Sequence, residues 1–401
     1  MMIGLITVVV IMQAMSATEA QRRQTTGSNS AESSGSIALQ TIQRSIMGAG
    51  DGMTGDQNTI FNTCYGQTVN ASNTAGPGNI TLPVNSFAPF RIWDAATPPA
   101  HLNAAGFDAN TDIIQIIGGG SQFFMGRGLT VGAWTEPTDF PNVNAALGVD
   151  RTWFPVAGLH SGDLVIVVQP TFPCRISQIT SLTNQGANVA GEAACGNTVP
   201  LTVATAARIG HAAGNFNNFY NNCQQETSVW NGGNAFAGTS GLLYSLGNPE
   251  RFTMKAFAIR NGQLTGCAPL FQNCTQAASW QVFSDGIVSL KTEYGFDADA
   301  DQMVAAGEWT RATPTTNWDR LKAVRLVLVA RNKEMERDVI PTADCAPLWS
   351  GFNTPDIDCS GGAPAANQVF LANGNDGANW NRYRYKVFET TVSLRNMFWS
   401  N

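Results

Sequence analysis

The apolar residues at the start of the chain form one continuous run. Residues 1–18 contain no charged side chain, and the first charge is Glu19. As an α-helix this run would rise about 27 Å, close to the roughly 30 Å hydrocarbon thickness of a bilayer. The run predicts a membrane-spanning helix, since a cleaved secretory signal would show a basic start and a small-residue cleavage site. The side chains predicted to pack there are Ile3, Leu5, Ile6, Val8, Val9, Val10 and Ile11.

A second apolar pattern, with helical spacing, follows this run. Leu39, Ile42 and Ile46 fall on one face of a helix, as in an amphipathic helix that lies against a protein core. Residues 25–36 between the two patterns are rich in Ser, Thr and Gly and form helices poorly. A glycine cluster then ends the helix. The two patterns predict one N-terminal helix over residues 1–50, with a weak middle.

Beyond the helix, short apolar and polar alternations are typical of β-strands. Residues 163–169 form a β-branched run that predicts a buried strand, and residues 322–330 alternate as a second strand. Residues 383–395 alternate as well, but their pattern slips by one residue near Glu389. A one-residue slip in a period-two pattern predicts a β-bulge.

The chain therefore predicts an α+β fold with two parts. Residues 1–50 form the long N-terminal helix, of which residues 1–18 span a membrane. Residues 51–401 form a β-rich globular domain on which the helix packs. The Asn-, Gly- and Thr-rich stretch at about 180–280 predicts an insertion of long loops stapled by disulfides.

The cysteines favour disulfides over a metal site. Their number is even, no pair has C-x-x-C spacing, and the three histidines are not spaced as metal ligands. Disulfides indicate an oxidising compartment. The short loops Cys267–Cys274 and Cys345–Cys359 are the first candidate pairs, and Cys174–Cys195 is the next. The eight candidates are Cys64, Cys174, Cys195, Cys223, Cys267, Cys274, Cys345 and Cys359.

The charge content narrows the class of partner. Charged residues make up 13% of the chain and the net charge is −6, whereas an average soluble domain is about 25% charged. Nucleic-acid binding by counterion release needs a basic face, so this composition excludes it. The uncharged, hydrogen-bonding surface agrees with an exported protein.

One acidic stretch has the spacing of a calcium loop. Asp297, Asp299 and Asp301 alternate, and Glu308 is the twelfth residue counted from Asp297. EF-hand loops use oxygen ligands at the first, third, fifth and twelfth positions. Gln302 stands where those loops have glycine, and a solvated acidic loop is the alternative. Calcium is the one cofactor that the sequence suggests.

The sequence offers no recognisable enzyme signature. It lacks the G-x-S-x-G, P-loop and H-E-x-x-H patterns, and its three histidines offer few general bases. A pair of carboxylates could still serve a glycosidase, although scattered surface acids are the simpler interpretation. We therefore predict no catalytic residues and a protein that is not an enzyme.

Four segments resemble the type IV pilus minor pilins of the PilW type, and they occur in the family's order. Near the N-terminus, residues 43–52 resemble the helix end and its glycine turn. Residues 288–297 resemble a strand leading to a Tyr-Gly-x-Asp turn, and residues 318–328 a strand that follows a Trp. Residues 385–396 resemble a closing strand that ends in Leu-Arg-Asn. Residues 60–280 carry almost none of the resemblance.

The resemblance implies a pilin-like fold, in which residues 1–18 lie in the filament core after assembly, and a structural function. It implies a subunit of a type IV pilus that primes assembly or supports the tip complex, with partners in other pilin subunits through the N-terminal helix and in a tip adhesin. It implies a location in the bacterial inner membrane before assembly and in the extracellular filament afterwards. The family's basic leader, cleavage glycine and nearby acidic residue are expected upstream of Met1, as after a late assigned start codon.

Two alternatives stay open at this point. The large body would also suit the main subunit of an unusual pilus-like filament. A membrane-tethered exported carbohydrate-binding protein or hydrolase is the second alternative, because the ten tryptophans could stack on sugars. A coding sequence for a leader directly upstream would favour a pilin over the second alternative.

Overall fold

The computed structural model describes residues 2–51, 53, 57–119, 128–131, 139–145, 159–169, 172–183, 195, 207–231, 241–337, 339, 345–347, 368–370 and 377–398. For several residues of the first helix and of some strands it describes the backbone alone. The helices in this part of the chain are α1 (Met2–Met47), α2 (Gln57–Tyr65) and α3 (Arg395–Phe398).

Most of the described chain lies in β-sheets, in which three larger sheets dominate. The nine-stranded sheet has the order β2 (Gly78–Leu82), β1 (Val69–Asn73), β8 (Cys174–Gln178), β7 (Leu164–Val168), β13 (Gly241–Gly247), β5 (Leu129–Val131), β6 (Asp139–Ala145), β10 (Ala207–Gly210), β9 (Ser181–Thr183). The five-stranded sheet has the order β16 (Gln281–Asp285), β15 (Gln263–Cys267), β14 (Thr253–Arg260), β4 (Asp112–Gly118), β3 (Phe90–Asp94).

A four-stranded antiparallel sheet is built from the C-terminal part of the chain. Its order is β18 (Trp309–Thr310), β17 (Ile287–Phe296), β19 (Leu321–Arg331), β22 (Tyr385–Ser393). Two smaller hairpins pair β11 (Asn215–Asn218) with β12 (Gln224–Thr227), and β20 (Cys345–Pro347) with β21 (Gln368–Phe370). One apolar core joins α1, α2 and strands of all three larger sheets.

These observations correct the predicted fold class. The fold is β-rich, and the predicted α+β class with a membrane-spanning half-helix is wrong. Among the residues that the structure describes, no helix combines the length and apolarity needed to cross a membrane. The division into residues 1–50 and 51–401 stays a prediction.

The predicted strands are confirmed in position, whereas one predicted bulge is wrong and the stretch predicted as loops contains strands. Strands β7 and β19 lie where the alternations predicted them. Strand β22 pairs with β19 in continuous register from Ser393 to Tyr385, so the bulge predicted near Glu389 is wrong. The predicted loops at about 180–280 contain β13, β14 and β15, which are integral strands of two sheets.

Three disulfides staple the described part of the chain. Cys267–Cys274 closes a short loop, as its spacing predicted. The predicted pair Cys174–Cys195 is wrong, because Cys174 bonds to Cys64 of α2 and Cys195 bonds to Cys223. Cys359 and the side chain of Cys345 lie outside the described residues, so that predicted pair stays a prediction.

A buried ionic centre joins the five-stranded sheet to the four-stranded sheet. The side chain of Asp112 in β4 is inaccessible to solvent. Its Oδ1 accepts from Arg311 Nη2 at 2.7 Å and its Oδ2 from Arg311 Nη1 at 3.1 Å. Asp112 Oδ2 also accepts from Thr292 N at 2.7 Å and Thr292 Oγ1 at 3.0 Å. Lys291 Nζ lies 3.9 Å from Asp112 Oδ1.

Tyr294 makes a second connection between the same two sheets. Its hydroxyl accepts from the backbone N–H of Ile92 in β3 at 2.8 Å, and Arg91 Nη1 lies 3.4 Å from it. Burial raises the pKa of Tyr294, so its hydroxyl stays protonated. The relative placement of the two sheets is therefore fixed by polar groups as well as by apolar packing.

We expect Asp112→Ala to lower the free energy of unfolding by about 3–5 kcal/mol. The substitution removes the buried carboxylate that lies against Arg311 and Lys291, and breaking a buried ion pair is strongly destabilising. Urea denaturation of the full-length oxidised chain measures this loss. Asp285→Ala, at an exposed carboxylate of β16 that accepts one bond from Gln263, is the matched control and should change stability by less than about 1 kcal/mol. Equal losses in the two variants would contradict the buried-centre argument.

Candidate functional site: a helix-binding sheet and an acidic loop

Helix α1 lies on the four-stranded sheet with one buried face. It contacts β19 and β22 most extensively, and it also reaches β16 and β17. The buried positions follow helical spacing and change from small to large toward the C-terminal end of α1. They are Gly27, Ala31, Gly35, Ala38, Ile42 and Ile46. The predicted stripe is thus confirmed at Ile42 and Ile46, while Leu39 is half-buried beside it.

The small residues let the helix approach the sheet closely. A Cβ placed on Gly35 would lie 2.1 Å from Cε2 of Phe388 in β22, so no larger side chain fits without movement of that ring. A Cβ on Gly27 would lie 3.1 Å from Nδ2 of Asn332, just after β19. The Ser-, Thr- and Gly-rich stretch predicted as a weak middle is therefore helical, and it supplies the closest contacts with the sheet.

Polar contacts with both the five-stranded and the four-stranded sheet fix the position of α1. Ser284 Oγ in β16 donates to the backbone oxygen of Ser34 at 2.8 Å. Lys386 Nζ in β22 lies 2.8 Å from Glu32 Oε2, in an ion pair that remains largely exposed. Exposed pairs of this kind contribute at most about 1 kcal/mol, so they set register more than stability.

The C-terminal end of α1 and the turn after it are held by α3 and by strand β4 of the five-stranded sheet. Asn396 Nδ2 in α3 donates to the backbone oxygens of Met47 and Ala49 at 3.3 Å each, which satisfies carbonyls that the helix leaves free. Gly50 N donates to Ile117 O in β4 at 2.8 Å. A Cβ on Gly118 would lie 1.9 Å from the backbone oxygen of Gly48, so only glycine permits this approach.

The first half of α1 exposes apolar side chains. Ile11, Met12 and Met15 are 51%, 67% and 69% exposed, and they lie on one side of the helix. The side chains predicted to pack in a bundle from Ile3 to Val10 lie outside the described part of the structure. Of the predicted set, Ile11 alone can be placed, and it faces solvent.

The acidic loop between β17 and β18 wraps around Asp297. The Asp297 side chain is buried; its Oδ1 accepts from Asp301 N at 3.1 Å and its Oδ2 from Gln302 N at 3.0 Å. Gln302 has a φ of 72°, so it adopts the left-handed conformation that the sixth position of a calcium loop requires of its usual glycine. The sharp turn is present despite the departure in sequence.

Glu308 closes the loop from its other end. Its Oε1 accepts from Ala298 N and its Oε2 from Ala305 N, both at 2.7 Å. These backbone donors lower the pKa of Glu308 below its usual value, since hydrogen bonds to the charged form favour it. The carboxylate therefore stays ionised over a wider acidic range than a free glutamate.

Three of the four predicted calcium ligands converge. Carboxylate oxygens of Asp297, Asp299 and Glu308 lie within 4.8 Å of one another. Asp301 does not join this group; its Oδ1 accepts instead from Met303 N at 2.8 Å. Oxygen ligands of this kind suit calcium or magnesium, and calcium binding stays a prediction.

A comparison with known protein families finds a match to the segment that contains the four-stranded sheet. Residues 267–396 match the sequence model of a family described as type IV pilus-assembly protein W, or PilW. This segment begins at the end of β15, ends in α3, and includes β17, β18, β19 and β22. The PilW-type resemblance inferred from the sequence is therefore confirmed for this third of the chain. No curated protein and no solved structure matches the chain.

The PilW match indicates a role related to type IV pilus assembly, with interaction with pilus components and a location in the envelope or outside the cell. The sequence predicted the three longest strands of this segment, β17, β19 and β22, but missed the roles of two residues. Gly35 was part of a stretch that forms helices poorly, and Asn396 was the end of a strand motif. The signal that could have found Gly35 is its spacing of four and eight residues from Ala31 and Gly27.

We expect Gly35→Ala to destabilise the protein by about 1–3 kcal/mol, because the added methyl group overlaps the Phe388 ring. In an ordinary helix interior the same change stabilises by about 1 kcal/mol. Phe388→Leu should recover part of the loss in the double variant, and Ser33→Ala, on the exposed side, should be neutral or stabilising. Thermal unfolding of the full-length chain measures all four. A stabilising Gly35→Ala would refute the close contact.

We expect calcium to bind the acidic loop and Asp299→Ala to abolish the binding heat in calorimetric titration of the full-length chain. Asp301→Ala should retain most of it, because its carboxylate lies outside the converging group. Equal loss in both variants would favour the EF-hand ligand set that the sequence suggested. A wild-type chain that gives neither heat nor a thermal shift with calcium would remove the site altogether.

Proposed function

We propose that the chain is a non-catalytic minor pilin that primes assembly of a type IV pilus or supports its tip complex. The observation that supports this proposal is the coincidence of the PilW match with the sheet that holds α1. The segment that relates the chain to pilus assembly is thus the segment that presents its helix. We infer a structural role from this arrangement, because holding a helix in position for contact with other subunits requires packing and no catalytic residues.

The proposed mechanism is hydrophobic packing between subunits. The second half of α1 is fixed to the sheet by its buried face, while the first half carries Ile11, Met12 and Met15 on an exposed side. Burying a large apolar side chain against a partner contributes about 1.5–3 kcal/mol. Helices of other pilin subunits are the proposed partners of this side, and a tip adhesin is the proposed partner of the body.

The body suits display outside the cell. Three disulfides lie in the described part of the chain, and disulfides persist in oxidising compartments. The low charge content and the Asn-, Thr- and Gly-rich composition give a surface that hydrogen-bonds without strong fields. We therefore place the working form of the protein in the extracellular filament.

We expect Met15→Glu to abolish complementation of a chromosomal deletion, measured as the number of surface filaments per cell by electron microscopy. A charge on the exposed apolar side opposes burial between subunits. The deletion itself should strongly reduce filament number.

Gln13→Glu is the matched control for this experiment, because it adds the same charge on the same stretch but on another side of the helix. It should restore filaments. Both variants should melt at the wild-type temperature, since neither side chain is buried. Full piliation in the deletion strain would refute the proposed function, and full piliation with Met15→Glu would refute the packing mechanism.

A further inference from the structure

A surface cavity of about 300 Å³ lies far along the chain from the helix-binding residues. One wall is the edge strand β2, through Asn79, Ile80 and Thr81. The opposite wall is the loop closed by the Cys267–Cys274 disulfide, and Ala100 and His101 complete the lining. The volume is at the lower end of the range of about 300–1,000 Å³ found for small-molecule sites.

The lining is polar but uncharged. All of its residues are described, and none of them is Asp, Glu, Lys or Arg. His101 is its one titratable side chain, and burial lowers the pKa of His101 to about 4, so it is neutral at physiological pH. Ionic ligands would find no counter-charge here. The cavity therefore selects against anions and cations alike.

Two amide groups of the lining are candidate hydrogen-bond donors. Gln272 Oε1 accepts from Ala268 N at 3.1 Å, so the NH₂ group is the part of this amide that remains for a ligand. Asn273 Oδ1 accepts from Thr275 N and Thr275 Oγ1, so the Asn273 NH₂ group is likewise free within the described contacts. The hydroxyl oxygen of Thr81, which donates to Asn70 Oδ1, can still accept.

The walls are held in place before any ligand arrives. The disulfide closes the loop, and Trp280 Nε1 donates to Cys274 O at 2.9 Å from behind it. Asn73 Nδ2 in β1 donates to Leu270 O at 2.9 Å, which ties the loop to the nine-stranded sheet. A site whose groups are fixed in advance loses less entropy on binding.

We propose that this cavity binds a small neutral saccharide. Sugar hydroxyls accept from the amide NH₂ groups of Gln272 and Asn273 and donate to the threonine oxygens. The carbon-bound face of a sugar ring is apolar and fits against Pro77, Pro269 and Ile80, which supply the apolar part of the lining. A saccharide thus satisfies both kinds of surface that the cavity offers, and the proposal is independent of the role in pilus assembly.

The test starts with the full-length oxidised chain, purified without sugar-headed detergents, on an array of neutral mono- and disaccharides and their sialylated counterparts. We expect binding to a subset of the neutral glycans and none that requires the acidic sugar. Calorimetric titration with the best soluble array sugar then gives the affinity of the wild-type chain.

Two isosteric variants test the site itself. Gln272→Glu and Asn273→Asp keep the oxygen that accepts the internal bond but replace the NH₂ donor, and each should weaken binding at least ten-fold. Gln276→Glu adds the same charge just after the disulfide loop, at an exposed residue outside the lining, and it should bind as the wild type does. Unchanged melting temperatures show that the fold is intact. Absence of any neutral-glycan binding, or equal affinities in all three variants, would overturn the proposal.

Discussion

A carboxylate that is removed from water must be neutralised and hydrogen-bonded where it lies, because burial of a single ion costs several kcal/mol. Asp112 of β4 meets this requirement with Arg311, Thr292 and Lys291, which belong to β17 or follow it. The requirement therefore joins two sheets that share no strand. The binding of α1 depends on this joint, because α1 contacts both sheets: β16 at Ser284 and β22 at Phe388.

Helix α1 lies close to the four-stranded sheet because the residues on its buried face there are glycine and alanine. Small residues occupy the buried face where α1 crosses β22, and isoleucines occupy it further along, where there is room. Close approach increases the dispersion contacts of the helix backbone with the sheet. The composition that weakens an isolated helix thus strengthens this one in its tertiary setting, which is the usual way in which packing overrides propensity.

Periodicity predicted the elements whose environment is uniform along their length. Strand β7 is buried from end to end and β19 at all positions but the last, and the β-branched run of the first and the alternation of the second predicted their positions. Strand β22 is an edge strand of intermediate burial, so its two faces do not differ clearly in polarity. Its sequence pattern therefore slips by one residue although its register with β19 does not. The predicted membrane-spanning half-helix is wrong, since no helix among the described residues is both long and apolar enough to cross a membrane.

Pairings between distant residues were beyond the reach of spacing. Cys174 bonds to Cys64 because β8 runs parallel to β1 with Val69 opposite Cys174, which brings α2 beside it. In the acidic loop the spacing predicted Asp297, Asp299 and Glu308 correctly as neighbours, whereas the Asp301 carboxylate accepts from Met303 N instead. The turn itself forms without a glycine. It is made by hydrogen bonds from backbone N–H groups to the Asp297 carboxylate, and Gln302 adopts the left-handed conformation that the turn requires.

The two ends of the chain meet to form the helix-binding face. Asn396 binds the end of α1 across 349 positions of sequence, and Phe388 packs on Gly35 over a similar span. Closing so long a loop costs entropy that only the finished contacts repay, so we expect contacts of this range to form late in folding. Helix α1 precedes its sheet in the chain, and β16, β17 and β19 cover only part of its buried face until β22 joins them. The fixed orientation of the helix therefore depends on strand β22 as well as on the strands before it.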